Sequence, residues 1–127
     1  MELSEQQQSA VAHMGGPALV VAGAGSGKTR TLTAKIHYLI QHGYDPERIL
    51  AITFTNKAAD EMKRRLEALT GMPRFRFPWV RTYHSACFRI LKRHCEALGY
   101  APPLQIFSAT RRRSCSTKSP WGPAFLK

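Results

Sequence analysis

The chain is poor in acidic residues, and seven of its eight lie within residues 1–70. Beyond Glu67 the only carboxylate is Glu96. The only two adjacent carboxylates in the sequence are those of Asp60 and Glu61, which fall inside a helical pattern. No acidic pair is available at the end of an apolar strand.

Cysteines and long apolar runs are also scarce. The three cysteines (Cys87, Cys95 and Cys115) include no CxxC pair, and no second ligand pair stands at zinc spacing, which argues against a disulfide framework or a structural zinc site. The apolar runs are too short to span a bilayer, and the polar, acidic N-terminus does not resemble a signal peptide. We therefore expect a cytoplasmic protein with reduced thiols and no membrane partner.

Positive charge is abundant and unevenly placed. The formal net charge is +11, of which residues 1–70 contribute +1 and residues 71–127 contribute +10. Such asymmetry favours a polyanionic partner, nucleic acid before membrane, because no amphipathic basic helix opens the chain. A solvated basic face that binds nothing remains an alternative at this stage.

The most informative segment is AGAGSGKT at 22–29. It follows the apolar run 18–21 and precedes a helical pattern over 31–41, the context of a phosphate-binding P-loop. Glycines let successive N–H groups point at phosphate oxygens, Lys28 would reach the β- and γ-phosphates, and the Thr29 hydroxyl would ligate Mg²⁺. Ala22 stands where the general pattern has glycine, and a glycine-rich turn without a ligand is the alternative.

Helical and extended patterns alternate along the chain. Ser4 and Gln7 form a capping-box pattern, after which Val11 and Met14 would share a helix face. The patterns predict a helix from Ser4 ended by 15–17, a strand at 18–21, a helix at 31–41, a strand at 49–54, a helix from Thr55 or Asn56 to Leu69, a strand at 80–82, a helix at 84–98 and an extended piece at 104–107. This order predicts an α/β fold with a mostly parallel sheet over residues 1–108. Residues 109–127 show no period and hold no acid, which predicts a basic irregular C-terminal tail, disordered or out of frame.

Four segments, in family order, resemble the UvrD/Rep-type superfamily 1 DNA helicases. LSEQQQSAV at 3–11 is similar to the Q motif, and AGAGSGKTR at 22–30 to the family's Walker A. ILAITFTNKAADEMKRRL at 49–66 is similar to motif Ia and is the most specific of the four. RTYHSAC at 81–87 is similar to motif Ib, with Tyr83 where the family more often has phenylalanine. The resemblance covers about residues 3 to 108.

The resemblance implies an incomplete RecA-like P-loop NTPase fold, a parallel sheet with flanking helices, that uses ATP and Mg²⁺ and acts on single-stranded DNA. It implies an ATP site formed by Gln7, Ala22, Gly23, Ala24, Gly25, Ser26, Gly27, Lys28, Thr29 and Arg30, with Lys28 and Thr29 as the catalytic residues and Thr29 on Mg²⁺. It implies DNA contacts from Phe54, Thr55, Asn56, Thr82, Tyr83 and His84.

Several of these roles have a chemical rationale. The Gln7 amide can donate and accept together, which matches the Hoogsteen edge of adenine; its alternative is a solvated helix residue. Phe54, at the end of a predicted strand at the sheet edge of the P-loop, can stack on a base; its alternative is ordinary core. Thr55 and Asn56 open a helix whose N–H groups can hold a phosphate.

Hydrolysis in this family uses an Asp-Glu pair, the Walker B motif, at the end of a later strand, and this sequence offers no such pair. We therefore expect the ATP-binding part of an ATP-dependent DNA helicase that translocates on single-stranded DNA in repair or replication, inactive and poorly folded alone. The alternatives are a non-enzymatic basic nucleic-acid-binding protein with a vestigial P-loop and another P-loop enzyme such as a nucleotide kinase. The segment TFTNKAADEM argues against the kinase.

Overall fold

The computed structural model describes residues 2–101 and Leu104. The helices in this part are α1 (Glu5–Ala12), α2 (Lys28–Gln41), α3 (Asn56–Thr70) and α4 (Tyr83–His94), and the strands are β1 (Ala51–Thr53) and β2 (Val80–Thr82). The described residues fall into two compact units, residues 2–88 and residues 89–101 with Leu104. No helix among the described residues is long and apolar enough to cross a membrane.

The two strands form a parallel sheet joined through α3. Ala51 is paired with Val80, Ile52 with Arg81 and Thr53 with Thr82. Parallel strands need a crossover connection, and α3 supplies it. The predicted α/β class with parallel pairing is confirmed for the described residues.

The core of the first unit lies where α2 and α3 cover this sheet. Six buried side chains form it, with Ile40, Ile49 and Met72 packed at its margin: Ile36, Ala51, Met62, Leu66, Phe77 and Val80. In α3 the buried residues Ala59, Met62 and Leu66 form one helical stripe, as an amphipathic helix requires.

Local signals at the helix ends are largely confirmed. The Ser4–Gln7 capping box is present, Thr55 caps α3, and Gly71 ends α3 in the left-handed region. However, α1 ends at Ala12, so Met14 lies beyond the helix and is 45% exposed. The prediction that Met14 shares a face with Val11 on this helix is wrong. The helix predicted to reach residue 98 ends at His94 and continues as a 3₁₀ turn that Gly99 terminates.

The strand predicted at 18–21 is wrong. Leu19 is 90% and Val21 is 88% exposed, and within the described residues this segment pairs with no strand. An extended segment without a hydrogen-bonded neighbour is not a sheet strand, however apolar its sequence. It follows that the described structure gives the glycine-rich loop no sheet edge in common with β1.

The strand predicted at 49–54 is present but shorter, and it is not buried on both faces. β1 comprises only Ala51–Thr53, and Ile52 remains 42% exposed next to the buried Ala51. Among the described residues the two-stranded sheet is covered on one face only. The predicted basic tail and, apart from Leu104, the extended piece at 104–107 lie outside the described residues.

Candidate functional site

The glycine-rich loop has a backbone that only some residues can adopt. Gly25 and Gly27 have φ of 74° and 82°, and Ser26 N donates to Gly23 O at 3.3 Å, which closes a turn. Gly27 is the N-cap of α2 in the left-handed region. Side chains with a Cβ avoid this region, so the glycines at 25 and 27 are required by conformation.

The loop leads directly into α2, and the N-terminus of this helix has no side-chain cap. The first helical hydrogen bond runs from Thr31 N to Gly27 O at 2.9 Å. The N–H groups of Lys28, Thr29 and Arg30 precede that bond at the positive end of the helix dipole. This end of α2 therefore favours an anion.

The predicted catalytic side chains lie at the same place and are exposed. Lys28 Nζ donates to Ala22 O at 3.4 Å, a long and weak hydrogen bond that folds the ammonium back over the loop. Thr29 is the second residue of α2, next to Lys28. Arg30 points elsewhere, because its guanidinium donates to the carbonyl oxygen of Glu2.

The Gln7 side chain lies against the loop and both ends of its amide are engaged. Its Oε1 accepts from Ser4 N at 2.9 Å, and its Nε2 donates to Ser26 O at 2.9 Å. A Cβ added to Gly27 would lie 3.0 Å from the same Nε2. The structure thus brings together Gln7 and the glycine-rich loop, which are 19 residues apart in sequence.

A cavity of about 750 Å³ opens between α1, the loop and α2. Its walls include residues from all three: Ser4, Gln7, Ala10, His13, Ala22, Gly23, Ser26, Lys28, Leu32 and Lys35. Sequence reasoning did not single out Lys35. The available signal was its spacing of seven residues from Lys28, which puts both lysines on one face of α2.

The predicted DNA-contacting residues form a second cluster at the carboxyl ends of the strands. Because Thr53 and Thr82 are paired in parallel, the residues that follow them lie at one edge of the sheet. Phe54 is 98% exposed there, and Tyr83 is 64% exposed with its ring edge-on to His84 at 6.0 Å. The interpretation of Phe54 as ordinary core is wrong, because its ring is almost entirely in solvent.

Two members of this cluster already have local structural roles. Thr55 Oγ1 accepts from Ala58 N at 3.1 Å, and Thr82 Oγ1 accepts from Ser85 N at 3.2 Å. Each hydroxyl thereby satisfies an otherwise orphaned amide at the start of a helix. Asn56 is exposed in the first turn of α3.

Part of the positive charge in this unit is paired. Arg65 and Arg64 both donate to the carboxylate of Glu61, and the hydrogen bond from Arg65 is the main reason that the pKa of Glu61 is lowered. Elsewhere Arg74 and Arg76 lie 3.8 Å from Glu67 and 3.3 Å from Glu47. Exposed pairs of this kind contribute little stability, but they reduce the local positive potential.

Thiols and metal-ligating groups add no further site within the described residues. Cys87 and Cys95 are both free thiols. No group of three or more His, Cys, Asp or Glu side chains among these residues is placed to hold a metal ion.

The fold defines an α/β protein with a glycine-rich loop at the start of a helix. Residues 3–119 match the family model of the UvrD/REP helicase N-terminal domain, and the chain belongs to this family. It is similar to the ATP-dependent DNA helicase PcrA of Staphylococcus epidermidis, with 46% identity over 113 residues that cover 88% of this chain and 15% of that protein. The PcrA helicase of Leuconostoc citreum is 47% identical over 113 residues, with the same coverage of both chains.

The ATP-dependent DNA helicase UvrD1 of Mycobacterium tuberculosis is 55% identical over 91 residues, which cover 71% of this chain and 12% of that protein. The chain therefore spans at most 15% of the length of these three curated relatives. The resemblance to UvrD/Rep-type helicases that the four sequence segments carry is confirmed.

Proposed function

We propose that this chain is the ATP-binding part of an ATP-dependent DNA helicase that translocates on single-stranded DNA. The observation that carries the proposal is the hydrogen bond from Gln7 Nε2 to Ser26 O, which holds an adenine-reading amide against a phosphate-binding loop. The names of the relatives, which are ATP-dependent DNA helicases, support the same assignment.

The contacts of Gln7 fix which end of its amide is which. Ser4 N must face an oxygen and Ser26 O must face an N–H, so the amide cannot flip without losing both bonds. One oxygen lone pair and one N–H remain, and they match the N6 donor and N7 acceptor of adenine. Guanine presents two acceptors along this edge, so it leaves the remaining lone pair of Gln7 without a donor and is disfavoured.

The phosphates would lie at the start of α2. The open N–H groups there can donate hydrogen bonds to phosphate oxygens. Lys28 would give up its weak hydrogen bond to Ala22 O and bind the β- and γ-phosphates instead. When bound, Mg²⁺ would neutralise phosphate charge, and the exposed Thr29 hydroxyl would be one of its few protein ligands. In this structure Arg30 supports the site indirectly through its bond to Glu2 O.

DNA would contact the carboxyl edge of the sheet. Phe54 and Tyr83 offer exposed rings on which bases can stack. The first turn of α3, with Asn56, offers N–H groups to a phosphate. A role in DNA repair or replication and a cytoplasmic location belong to this proposal.

Binding is proposed without turnover by this chain alone. Its one adjacent acidic pair, Asp60 and Glu61, lies in α3, and Arg64 and Arg65, one helical turn further on, both donate to Glu61. That carboxylate is therefore not available to orient water at the glycine-rich loop. We expect ATPase activity at the background of the assay.

A titration with a fluorescent ATP analogue in the presence of Mg²⁺ tests the proposal. We expect saturable binding that Lys28→Ala abolishes and that Lys57→Ala leaves unchanged, because Lys57 is an exposed lysine on α3 that is not among the residues lining the cavity at the loop. Equal binding by the wild type and Lys28→Ala would reject the site. Salt-dependent DNA binding without any nucleotide binding would favour the non-enzymatic nucleic-acid-binding alternative.

A further inference from the structure

Lys35 makes an unusual set of contacts with the end of α1. Its ammonium donates to Val11 O at 2.8 Å, to His13 O, and to Met14 Sδ at 3.5 Å. The same nitrogen lies 5.5 Å from the centre of the Tyr38 ring. One side chain of α2 therefore contacts two backbone carbonyl groups at the C-terminal end of α1 and the sulfur atom of Met14, which follows them.

Helix α1 depends on such external support. It has eight residues, fewer than an isolated helix needs to be stable in water, and its only buried residue is Val11. It has no basic residue of its own in its last turn. Lys35 supplies the positive charge that a helix C-terminus favours and hydrogen-bonds carbonyls that the helix leaves open.

The two ends of α1 are thus attached to one rigid element at two separate points. Gln7 is bonded to Ser26, two residues before α2 begins, and Lys35 lies in the middle of α2, seven residues after Lys28 and about 10 Å along the helix. Without Lys35, α1 can pivot about the attachments at its N-terminal end, which are the bonds of Gln7 to Ser26 O and of Arg30 to Glu2 O. With both ends attached, the distance from the Gln7 amide to the loop is fixed.

We propose that Lys35 is a positioning residue for nucleobase selection, which holds α1 so that Gln7 stays in register with the glycine-rich loop. This rests on the proposed ATP site. Lys35 need not touch the nucleotide, since it acts through the helix that carries Gln7. Loss of its ammonium group should lower the selectivity for adenine. The affinity for the triphosphate should not change, because Lys28 and the N-terminus of α2 still bind it.

The test uses the full chain and measures the dissociation constants of ATP, GTP and inorganic tripolyphosphate by calorimetry. For the wild type we expect ATP to bind at least about tenfold more tightly than GTP. The Gln7 amide hydrogen-bonds adenine, whereas guanine leaves one of its hydrogen-bonding groups without a partner. Lys35→Met removes the donors at similar length, and we expect the ATP-to-GTP ratio to fall to within about twofold, with tripolyphosphate affinity unchanged. Lys35→Arg should restore the ratio, since it keeps charge and donors, and Lys57→Ala serves as the matched lysine control.

Three outcomes overturn the inference and leave the proposed function intact. One is a Lys35→Met protein that keeps the wild-type ratio. Another is a parallel loss of ATP, GTP and tripolyphosphate binding, which marks Lys35 as a general structural residue. If Lys35→Met fails to fold, a Lys35→Arg protein that folds yet loses the ratio also contradicts it. Failure of the wild type to bind ATP at all rejects the proposed function itself, and the inference with it.

Discussion

Replacement of Gly27 by alanine tests the contact between α1 and the glycine-rich loop. Gly27 has a φ of 82°, and an added Cβ would lie 3.0 Å from Gln7 Nε2. A left-handed alanine costs roughly 1–2 kcal/mol, offset by about 0.4–1 kcal/mol because alanine restricts the unfolded chain. Displacing the amide should also break its hydrogen bond to Ser26 O, worth about 1 kcal/mol. We expect Gly27→Ala to lower the free energy of unfolding by about 2 kcal/mol in all.

Alanine substitutions at two neighbouring glycines separate the cost of backbone strain from the cost of the lost Gln7 hydrogen bond. Gly25 has a φ of 74° but open space around an added Cβ, so Gly25→Ala should cost only the strain, about 1 kcal/mol net. Gly23 has neither a positive φ nor a close neighbour, so Gly23→Ala should be neutral or slightly stabilising. Urea unfolding followed by circular dichroism at 222 nm, without nucleotide, gives the three values.

A Gln7→Ala background completes the experiment. Without the Gln7 amide, Gly27→Ala and Gly25→Ala should cost the same, since only backbone strain remains. The reasoning is refuted if Gly27→Ala costs no more than Gly25→Ala in the wild-type chain, or if the extra cost persists after Gln7 is removed.

Two further predictions concern the sheet edge and α3. Phe54→Ala should weaken single-stranded DNA binding by about 1–3 kcal/mol at every salt concentration, with an unchanged salt slope, because it removes stacking and no charge. Phe75→Ala is the matched control, since that ring is also exposed but lies before β2, at the opposite end of the sheet. Fluorescence anisotropy measures the affinity for single-stranded DNA, and an equal loss of affinity in both variants would contradict the assignment. The pKa of Glu61 lies below its ordinary value of 4.5, chiefly through the hydrogen bond from Arg65, so its stabilising contribution is complete above pH 4.5 and is lost as the pH falls through the lowered pKa. Arg65→Ala should raise the pKa of Glu61 in a carboxyl NMR titration, and an unchanged value would show that the bond from Arg65 is not formed in solution.

Local sequence signals were sufficient where the chain is governed by its nearest neighbours. The capping box at Ser4, the cap at Thr55 and the stop at Gly71 each depend on residues within one helical turn. The glycines of the loop likewise follow from φ values that a Cβ disfavours. The helical stripe of α3 was readable because its period is set by the helix itself.

Partner-dependent features could not be read from the sequence. The apolar run at 18–21 has the composition of a strand, but a strand exists only where another backbone pairs with it, and among the described residues none does. The exposure of Phe54 was equally undetermined, because an aromatic residue after a strand is core or surface according to what covers it.

The sequence by itself determined the family, the glycine-rich segment before α2 and the residues that open and close most of the helices. The capping box already gave Gln7 Oε1 its partner in Ser4 N, but only the tertiary structure decided that Gln7 Nε2 donates to Ser26 O of the loop. It also revealed Lys35, whose contacts with Val11 and His13 join positions more than 20 residues apart. Sequence patterns report spacing along one element, whereas such contacts depend on how two elements pack, and packing is fixed only when the chain folds.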